Sequence, residues 1–135
     1  MNLKDKVIYV TGASLGIGYE IASELLKQDA KVVITARNKE NLDKAKNTLS
    51  KISNNVQAHA FDISDENELK KSMNNVYDHF GKIDGLVNNA PSIHPGMIKD
   101  MSLSQWKTNF KANLEGAFLT TCLLYTSPSP RDWTI

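Results

Sequence analysis

The sequence predicts an α/β protein with a doubly wound parallel β-sheet, on the strength of two observations. Short β-branched segments alternate with amphipathic helical segments, and these apolar segments are continuous, as expected for strands buried on both faces of a parallel sheet. In addition, a glycine-rich turn joins the first strand to the first helix. The order β-α-β-α-β-α-β-α therefore favours helices on both faces of the sheet, joined by right-handed crossovers.

Four segments are predicted to be strands. The two strongest are "KVIYVTG" from Lys6 to Gly12 and "KVVITAR" from Lys31 to Arg37, because both are rich in valine and isoleucine. The segments "NVQAHAFDI" and "KIDGLVNNA" are weaker candidates of the same kind.

The segments between and after the strands have helical periodicity, with apolar residues recurring every three or four positions. The four sets are Ile17, Ile21 and Leu25; Leu42, Ala45, Leu49 and Ile52; Leu69, Met73, Val76, Tyr77 and Phe80; and Trp106, Phe110, Leu114 and Ala117 or Phe118.

Two of these helices carry start signals in the sequence. Ser64 is expected to cap the third helix, and the acidic run Asp65 to Glu68 is interpreted as a helix start rather than a metal site, because the helix dipole favours anions there. Ser102 and Gln105 fit a capping box at the start of the fourth helix.

Composition narrows the classes of function. The chain has 135 residues, 41% of them hydrophobic, and a net charge of +1, which gives no field suited to nucleic acid or to an anionic membrane. No apolar run approaches the roughly 18 residues of a membrane span, so a cytoplasmic protein is expected. The single cysteine, Cys122, excludes an internal disulfide, and the three histidines lack metal-ligand spacing, so no metal site is expected.

The sharpest chemical signal is "TGASLGIG", from Thr11 to Gly18. Three glycines between a strand and a helix allow a tight turn whose free backbone N–H groups, at the positive helix end, can bind a pyrophosphate. The alternative is a glycine turn that only connects the two elements. The flanking strand and helix favour the dinucleotide-binding interpretation.

The glycine pattern G-x-x-x-G-x-G, together with Thr11 and the run Asn88 to Ala90, resembles the short-chain dehydrogenase/reductase family from Lys4 to about Thr121. The resemblance implies a Rossmann-like domain and an NAD(P)-dependent oxidoreductase. It also implies that Asp62 and Ile63 contact the adenine and that the loop at Asn88 to Ala90 supports the cofactor. The cofactor-binding residues expected on this basis are Thr11, Gly12, Ser14, Gly16, Ile17, Gly18, Arg37, Asp62, Ile63, Asn89 and Ala90.

The resemblance assigns Asn113, within "KANLEGAF", a catalytic role in positioning a water of a proton relay. The alternative for this residue alone is an ordinary polar position on a helix. The family's serine, tyrosine and lysine would lie further along the chain. Tyr125 is not that tyrosine, because Ser129 stands where the lysine would follow. Residues 1–121 are therefore expected to form a partial NAD(P)-binding domain that is inactive by itself.

Two sequence features bear on the ligands. At the end of the second strand, where an acidic residue would bind the ribose of NAD, this chain has Ala36 followed by Arg37, so NADP is favoured. Against this, Leu15 in the glycine turn is not basic. The alternative is that Arg37 is a solvated surface residue. Pro91 replaces the glycine that usually follows Asn-Asn-Ala, and this removes an N–H and restrains Ala90.

The substrate is expected to be a small molecule. His94 and Met97 are candidates for contacting it, solely because they lie in the segment that follows the Asn88 to Ala90 loop. Two alternatives share every motif visible here: a non-catalytic dinucleotide-binding or regulatory protein, and an epimerase or lyase on the same fold. The resemblance also implies a homo-oligomer, a dimer or tetramer, formed through the helix that contains Asn113.

The last 14 residues, 122–135, are expected to be foreign to the domain. The predicted helix is expected to stop at Cys122, and Pro128 and Pro130 exclude a regular continuation. The eleven residues from Cys122 to Asp132 resemble one reading frame of a transposon-end adapter used in sequencing libraries. A genuine proline-rich terminus is the alternative.

Overall fold

The computed structural model describes residues 2–126, and within them strands and helices alternate as the sequence predicts. No helix in this range combines the length and apolarity needed to cross a membrane. The elements are β1 (Val7–Thr11), α1 (Gly16–Lys27), β2 (Lys31–Ala36), α2 (Lys39–Leu49), β3 (Val56–Ala60), α3 (Glu66–Phe80), β4 (Gly85–Val87), a 3-10 turn (Ile98–Asp100), α4 (Leu103–Phe110), a π-helix (Lys111–Glu115) and α5 (Gly116–Thr126).

The four strands form one parallel sheet in the order β3-β2-β1-β4. Apolar side chains cover both faces. One core cluster joins the sheet to α1 and α2, through residues such as Val10, Ile34 and Leu42, while the other joins it to α3, through residues such as Val7 and Met73. The α/β class and the four predicted strands are confirmed, and all four strand ends point toward one edge of the sheet.

Helix α1 is present, but its buried face is not the stripe of Ile17, Ile21 and Leu25. The buried residues are Gly18, Ala22, Ser23 and Leu26, whereas the Ile17 side chain is 72% exposed. Small side chains at two of the buried positions allow α1 to lie close to the sheet and the glycine turn, and this rotates the larger isoleucine outward.

Helix α3 starts at an acidic cap, as the acidic run suggests, but Ser64 is not the capping residue. Asp65 is the cap, and its side chain accepts a hydrogen bond of 3.1 Å from the backbone N–H of Glu68. The Ser64 hydroxyl instead donates to Asp62 at 2.7 Å. The prediction of a helix start is therefore confirmed, and the assignment of Ser64 was wrong by one residue because Asp62 competes for its hydroxyl.

Helix α4 begins with the predicted capping box, in which the Ser102 hydroxyl and the Gln105 side chain each accept a bond from the other's backbone N–H, at 3.2 and 2.9 Å. Backbone helix then continues through the π-helix into α5. The apolar side chains Trp106, Phe110, Leu114 and Phe118 are between 44% and 64% exposed, so this stripe lies outside the core of the described residues.

The helix end expected at Cys122 is wrong, because α5 continues through Thr126. The segment contains no helix breaker before Pro128, and proline acts chiefly on itself and on the residue before it. Leu123 and Leu124 pack against the core cluster on the α3 side. Residues 127–135, including both prolines, lie outside the described residues.

A buried hydrogen-bonded chain crosses the sheet on the α3 side. The Ser72 hydroxyl lies 2.6 Å from the Tyr9 hydroxyl and 2.6 Å from Nδ1 of His59. Ser72 has one hydrogen to donate, so it donates to at most one of these two partners and accepts from the other, with the direction set by the His59 tautomer. Burial raises the pKa of Tyr9, so the phenol stays protonated.

Replacing Ser72 with alanine is expected to destabilise the protein by about 2 kcal/mol, because it leaves the buried Tyr9 hydroxyl and the His59 nitrogen without this partner. Urea unfolding of the complete protein would measure the change. Ser104→Ala, at an exposed position of α4, is the matched control and should change stability by less than about 0.5 kcal/mol. Equal effects of the two substitutions would contradict the importance of the buried chain.

The hydrogen-bonded chain of Tyr9, Ser72 and His59 also predicts that stability depends on pH. Burial, and secondly the positive charge of Lys46, lower the pKa of His59. His59 therefore binds a proton more tightly in the unfolded chain than in the folded one. The stability that neutral His59 contributes is complete above its unfolded pKa of about 6.5, and it is lost as the pH falls below that pKa. We expect the free energy of unfolding to fall between about pH 7 and pH 5, and His59→Gln to remove that slope. A slope that persists in the variant would assign the effect to other groups.

Candidate functional site

The segments that follow all four strands meet at the carboxyl edge of the sheet and enclose a cleft of about 670 Å³. A smaller cavity of about 250 Å³ adjoins it. The two share the residues Ile63, Ala90, Pro91 and Ala112. The larger cleft is also lined by Gly12, Ser14, Leu15, Thr35, Ala36, Arg37, Asn38, Phe61 and Asp62, and the smaller one by Thr11, Asn88, Asn89, Asn113 and Ala117.

The glycine turn is tied to the loop after β4 by three side-chain hydrogen bonds. The Thr11 hydroxyl accepts from the backbone N–H of Asn89 at 2.9 Å and donates to the Val87 carbonyl at 3.3 Å. The Asn89 amide donates to the Gly12 carbonyl at 3.1 Å. Thr11 and Asn89 therefore act together, and they fix the floor of the cleft from two neighbouring strands.

The three glycines of the turn are required for different structural reasons. Gly12 has φ of +64°, and an added Cβ would lie 2.7 Å from Cα of Ala90. A Cβ on Gly18 would lie 2.5 Å from both the Asn89 amide nitrogen and the Gly12 carbonyl oxygen. Gly16 has φ of +60°, but its Cβ would meet open space. Two of the glycines thus permit close approach to the loop after β4, and the third provides the left-handed turn.

The start of α1 is suited to binding an anion. Its N-cap residue, Leu15, has extended backbone and makes no side-chain cap bond, and the first turn holds no acidic residue. The first N–H groups of a helix have no partner within the helix and carry partial positive charge. Ser14 lines the cleft beside them. Gly16 lines a separate hollow between α1 and α2, while Ile17 and Gly18 line neither cavity.

Arg37 and Asp62 line the larger cleft, after β2 and β3. Asp62 accepts bonds from the Ser64 N–H at 2.9 Å and the Ser64 hydroxyl at 2.7 Å. Burial by itself would raise the pKa of Asp62, but the Ser64 bonds and the positive charges of Arg37 and Lys111 outweigh it and lower the pKa. The carboxylate is therefore ionised at neutral pH.

Asn113 lies in the π-helix beside the smaller cavity. Its amide donates to the Ser92 carbonyl at 2.7 Å and accepts from the Ser92 N–H at 2.9 Å. Because both ends of the amide bind backbone, the side chain fixes the segment after Pro91. The predicted neighbours His94 and Met97 do not line either cavity, and the Met97 side chain is 68% exposed.

Several features of the site were missed by the sequence reasoning. Leu15, Asn38 and Phe61 line the larger cleft, Ala112 lines both cavities, and Ala117 lines the smaller one. The π-helix is a widened turn of the kind often found at functional sites, and nothing in the letters "KANLE" marks it. Leu15 and Phe61 could have been found only from their positions shortly after β1 and β3, because their residue types carry no sign of a binding site.

The parallel sheet, the glycine turn and the cleft at the carboxyl edge define a nucleotide-binding α/β protein of the Rossmann type. The sequence profile described as short chain dehydrogenase matches residues 6–128. The chain belongs to this short-chain dehydrogenase family, and the predicted membership is confirmed.

Individual relatives agree with that assignment. An uncharacterized oxidoreductase of Staphylococcus epidermidis is 36% identical over 114 residues, which cover 84% of this chain and 48% of the relative. An uncharacterized oxidoreductase from Staphylococcus aureus is 35% identical over 118 residues, which cover 87% of this chain and 50% of the relative. The crystal structure of a short chain dehydrogenase from Bacillus anthracis superposes with a TM-score of 0.88 at 29% identity, covering 98% of this chain and 53% of that one. The chain therefore spans about half the length of these relatives.

Proposed function

We propose that the complete protein is an NAD(P)-dependent oxidoreductase that reduces a carbonyl group or oxidises a secondary alcohol by hydride transfer. The observation that carries the proposal is the cleft of about 670 Å³ in which the open start of α1 faces the segments after β2 and β3. The family assignment and the relatives described as oxidoreductases support it.

The residues present fit a dinucleotide. The open space beside Gly16 and the unpartnered first turn of α1 suit a pyrophosphate, because neither a Cβ nor an acidic side chain opposes it. Ile63 offers an apolar wall beside the ionised Asp62 for an adenine. When bound, the nicotinamide supplies or accepts the hydride. Thr11, Gly12, Gly18, Asn89 and Ala90 fix the cleft floor, and Ser14 and Ile17 lie at the start of α1.

NADP is favoured over NAD as the cofactor. Ala36 and Arg37 follow β2, and both line the cleft, so no carboxylate at that point repels a 2′-phosphate and a guanidinium is present to bind it.

The smaller cavity beside Asn113 is assigned to the reacting end of the cofactor and to a small-molecule substrate, since it lies away from Arg37 and shares the wall of Ala90 and Pro91 with the larger cleft. Asn113 holds the Ser92 backbone there and is assigned the positioning of a relay water. The acid-base groups belong to the part of the protein beyond the 1–121 segment, so this chain alone is expected to be inactive.

A homo-oligomer in the cytoplasm is the proposed working form. The exposed apolar stripe of Trp106, Phe110, Leu114 and Phe118 supports it, because apolar side chains at helical spacing on one face are typical of surfaces that another helix covers.

The proposal is tested on the complete protein recovered from the source gene. We expect NADPH to quench its intrinsic fluorescence with an affinity at least tenfold tighter than that of NADH, and a panel of aldehydes and ketones to oxidise NADPH in its presence. Binding without turnover would favour a non-catalytic dinucleotide-binding protein. Turnover without net NADPH oxidation would favour an epimerase or lyase.

We also propose that the segment from Cys122 to Asp132 is translated adapter sequence and that the native protein continues from about Thr121. The coincidence of eleven consecutive residues with one adapter reading frame supports this. A long sequencing read across the codon for Thr121 is expected to continue into a further strand and a Tyr-x-x-x-Lys pair. An independent clone that encodes the same tail and a stop would refute the proposal.

A further inference from the structure

The segment after Pro91 is held at two points by one face of the helix that contains Asn113. Besides the Asn113 contacts to Ser92, the Asn109 side chain accepts from the His94 N–H at 2.9 Å, and its amide lies 3.5 Å from the His94 carbonyl. Each carboxamide thus meets both polar groups of one backbone residue, as a paired residue of a neighbouring β-strand would.

The two contacts have matching spacing. Asn109 and Asn113 are four residues apart, one at the end of α4 and the other inside the π-helix, so they lie about one helical turn from each other. Ser92 and His94 are two residues apart, and an extended chain advances about 6.6 Å over two residues. Pro95 restrains His94 to extended conformations, because a residue before proline avoids the helical region. Both contacts can therefore form at once, with the segment antiparallel to the helix.

This doubly held segment is continuous with the wall of the site. Ala90 and Pro91 line both cavities, and the buried Ser92 follows them directly. Asn113 holds the end of the segment nearest the cleft. Asn109 holds the other end, at His94, whose side chain is exposed. Without the second contact the segment would be free to rotate about its attachment at Ser92.

We propose that Asn109 is a positioning residue that fixes the backbone of His94 and so orients the segment from Ser92 to His94, which continues directly from the Ala90 and Pro91 wall of the smaller cavity. The inference rests on the proposed oxidoreductase function. Neither Asn109 nor the segment that it holds lines the larger cleft, where Arg37 and the residues before α1 lie, so we expect the larger effect on substrate binding and little effect on cofactor binding.

The test uses Asn109→Leu in the complete protein. We expect faster hydrogen exchange in the peptide that contains His94, a KM for the best carbonyl substrate of the panel raised about tenfold, and a Kd for NADPH within about twofold of wild type. Asn75→Leu, the same change at an exposed position of α3, should alter none of these. Asn109→Asp keeps the acceptor for the His94 N–H, and it should recover most of the protection and give an intermediate KM.

Each other outcome overturns a defined part of the inference. Unchanged exchange in Asn109→Leu would show that Asn109 does not hold His94. Faster exchange with an unchanged KM would leave a structural contact without a positioning role. If the wild-type protein bound neither NADPH nor NADH, the proposed function would fail and the positioning role with it, while the exchange data would still decide whether the contact exists. If Asn109→Leu did not fold, Asn109→Asp would decide in its place.

Discussion

Replacing Gly12 with alanine is expected to cause a large loss of stability. The left-handed backbone at φ of +64° costs a non-glycine residue about 1–2 kcal/mol. The new Cβ would also overlap the Asn89 carbonyl and approach Cα of Ala90, and such overlap with backbone costs a further 1–3 kcal/mol or more, roughly. A loss of about 4 kcal/mol is therefore expected, compared with a total of about 5–15 kcal/mol for a typical domain.

Gly16→Ala separates the two causes of that loss. Gly16 has nearly the same φ, +60°, but its Cβ would enter open space. We expect it to cost only about 1–2 kcal/mol when unfolding is measured in urea without cofactor. Similar losses for the two variants would show that backbone conformation alone matters, and that the contact between the glycine turn and the Asn-Asn-Ala loop adds nothing.

The sequence could predict the first two strands most clearly, because the residues of β1 and β2 are mostly buried, which produces uninterrupted runs such as "KVVITA". It could also predict local devices whose partners lie within four residues, such as the capping box at Ser102. These features depend on short-range spacing alone.

Most of the errors fell where a distant partner decides the outcome, whereas at Ser64 the competing partner is only two residues away. Ile17 looked like core, but α1 turns its small residues toward the turn and the Asn89 loop. Ser64 looked like a cap, but Asp62 takes its hydroxyl. The contact between Asn109 and His94 joins residues 15 positions apart in sequence, so no local pattern could reveal it.

Charge reversal at Arg37 has the second large expected effect. If Arg37 binds the 2′-phosphate of NADP, Arg37→Asp replaces a bidentate attraction with repulsion between like charges, and the Kd for NADPH should rise about 100-fold or more. NADH lacks that phosphate, and an aspartate there can accept from its ribose hydroxyls, so the Kd for NADH should stay constant or fall. Fluorescence titration of the complete protein with both cofactors measures the two constants.

Two controls decide whether the effect is specific to that phosphate. Lys107→Asp makes the same change in net charge on an exposed position of α4, outside both cavities, so it should weaken NADPH binding by less than about twofold. Arg37→Lys keeps the charge but loses the planar fork, so it should lie between wild type and Arg37→Asp. Equal weakening of NADPH and NADH by Arg37→Asp would show instead that Arg37 supports the shape of the cleft, and the preference for NADP would need another origin.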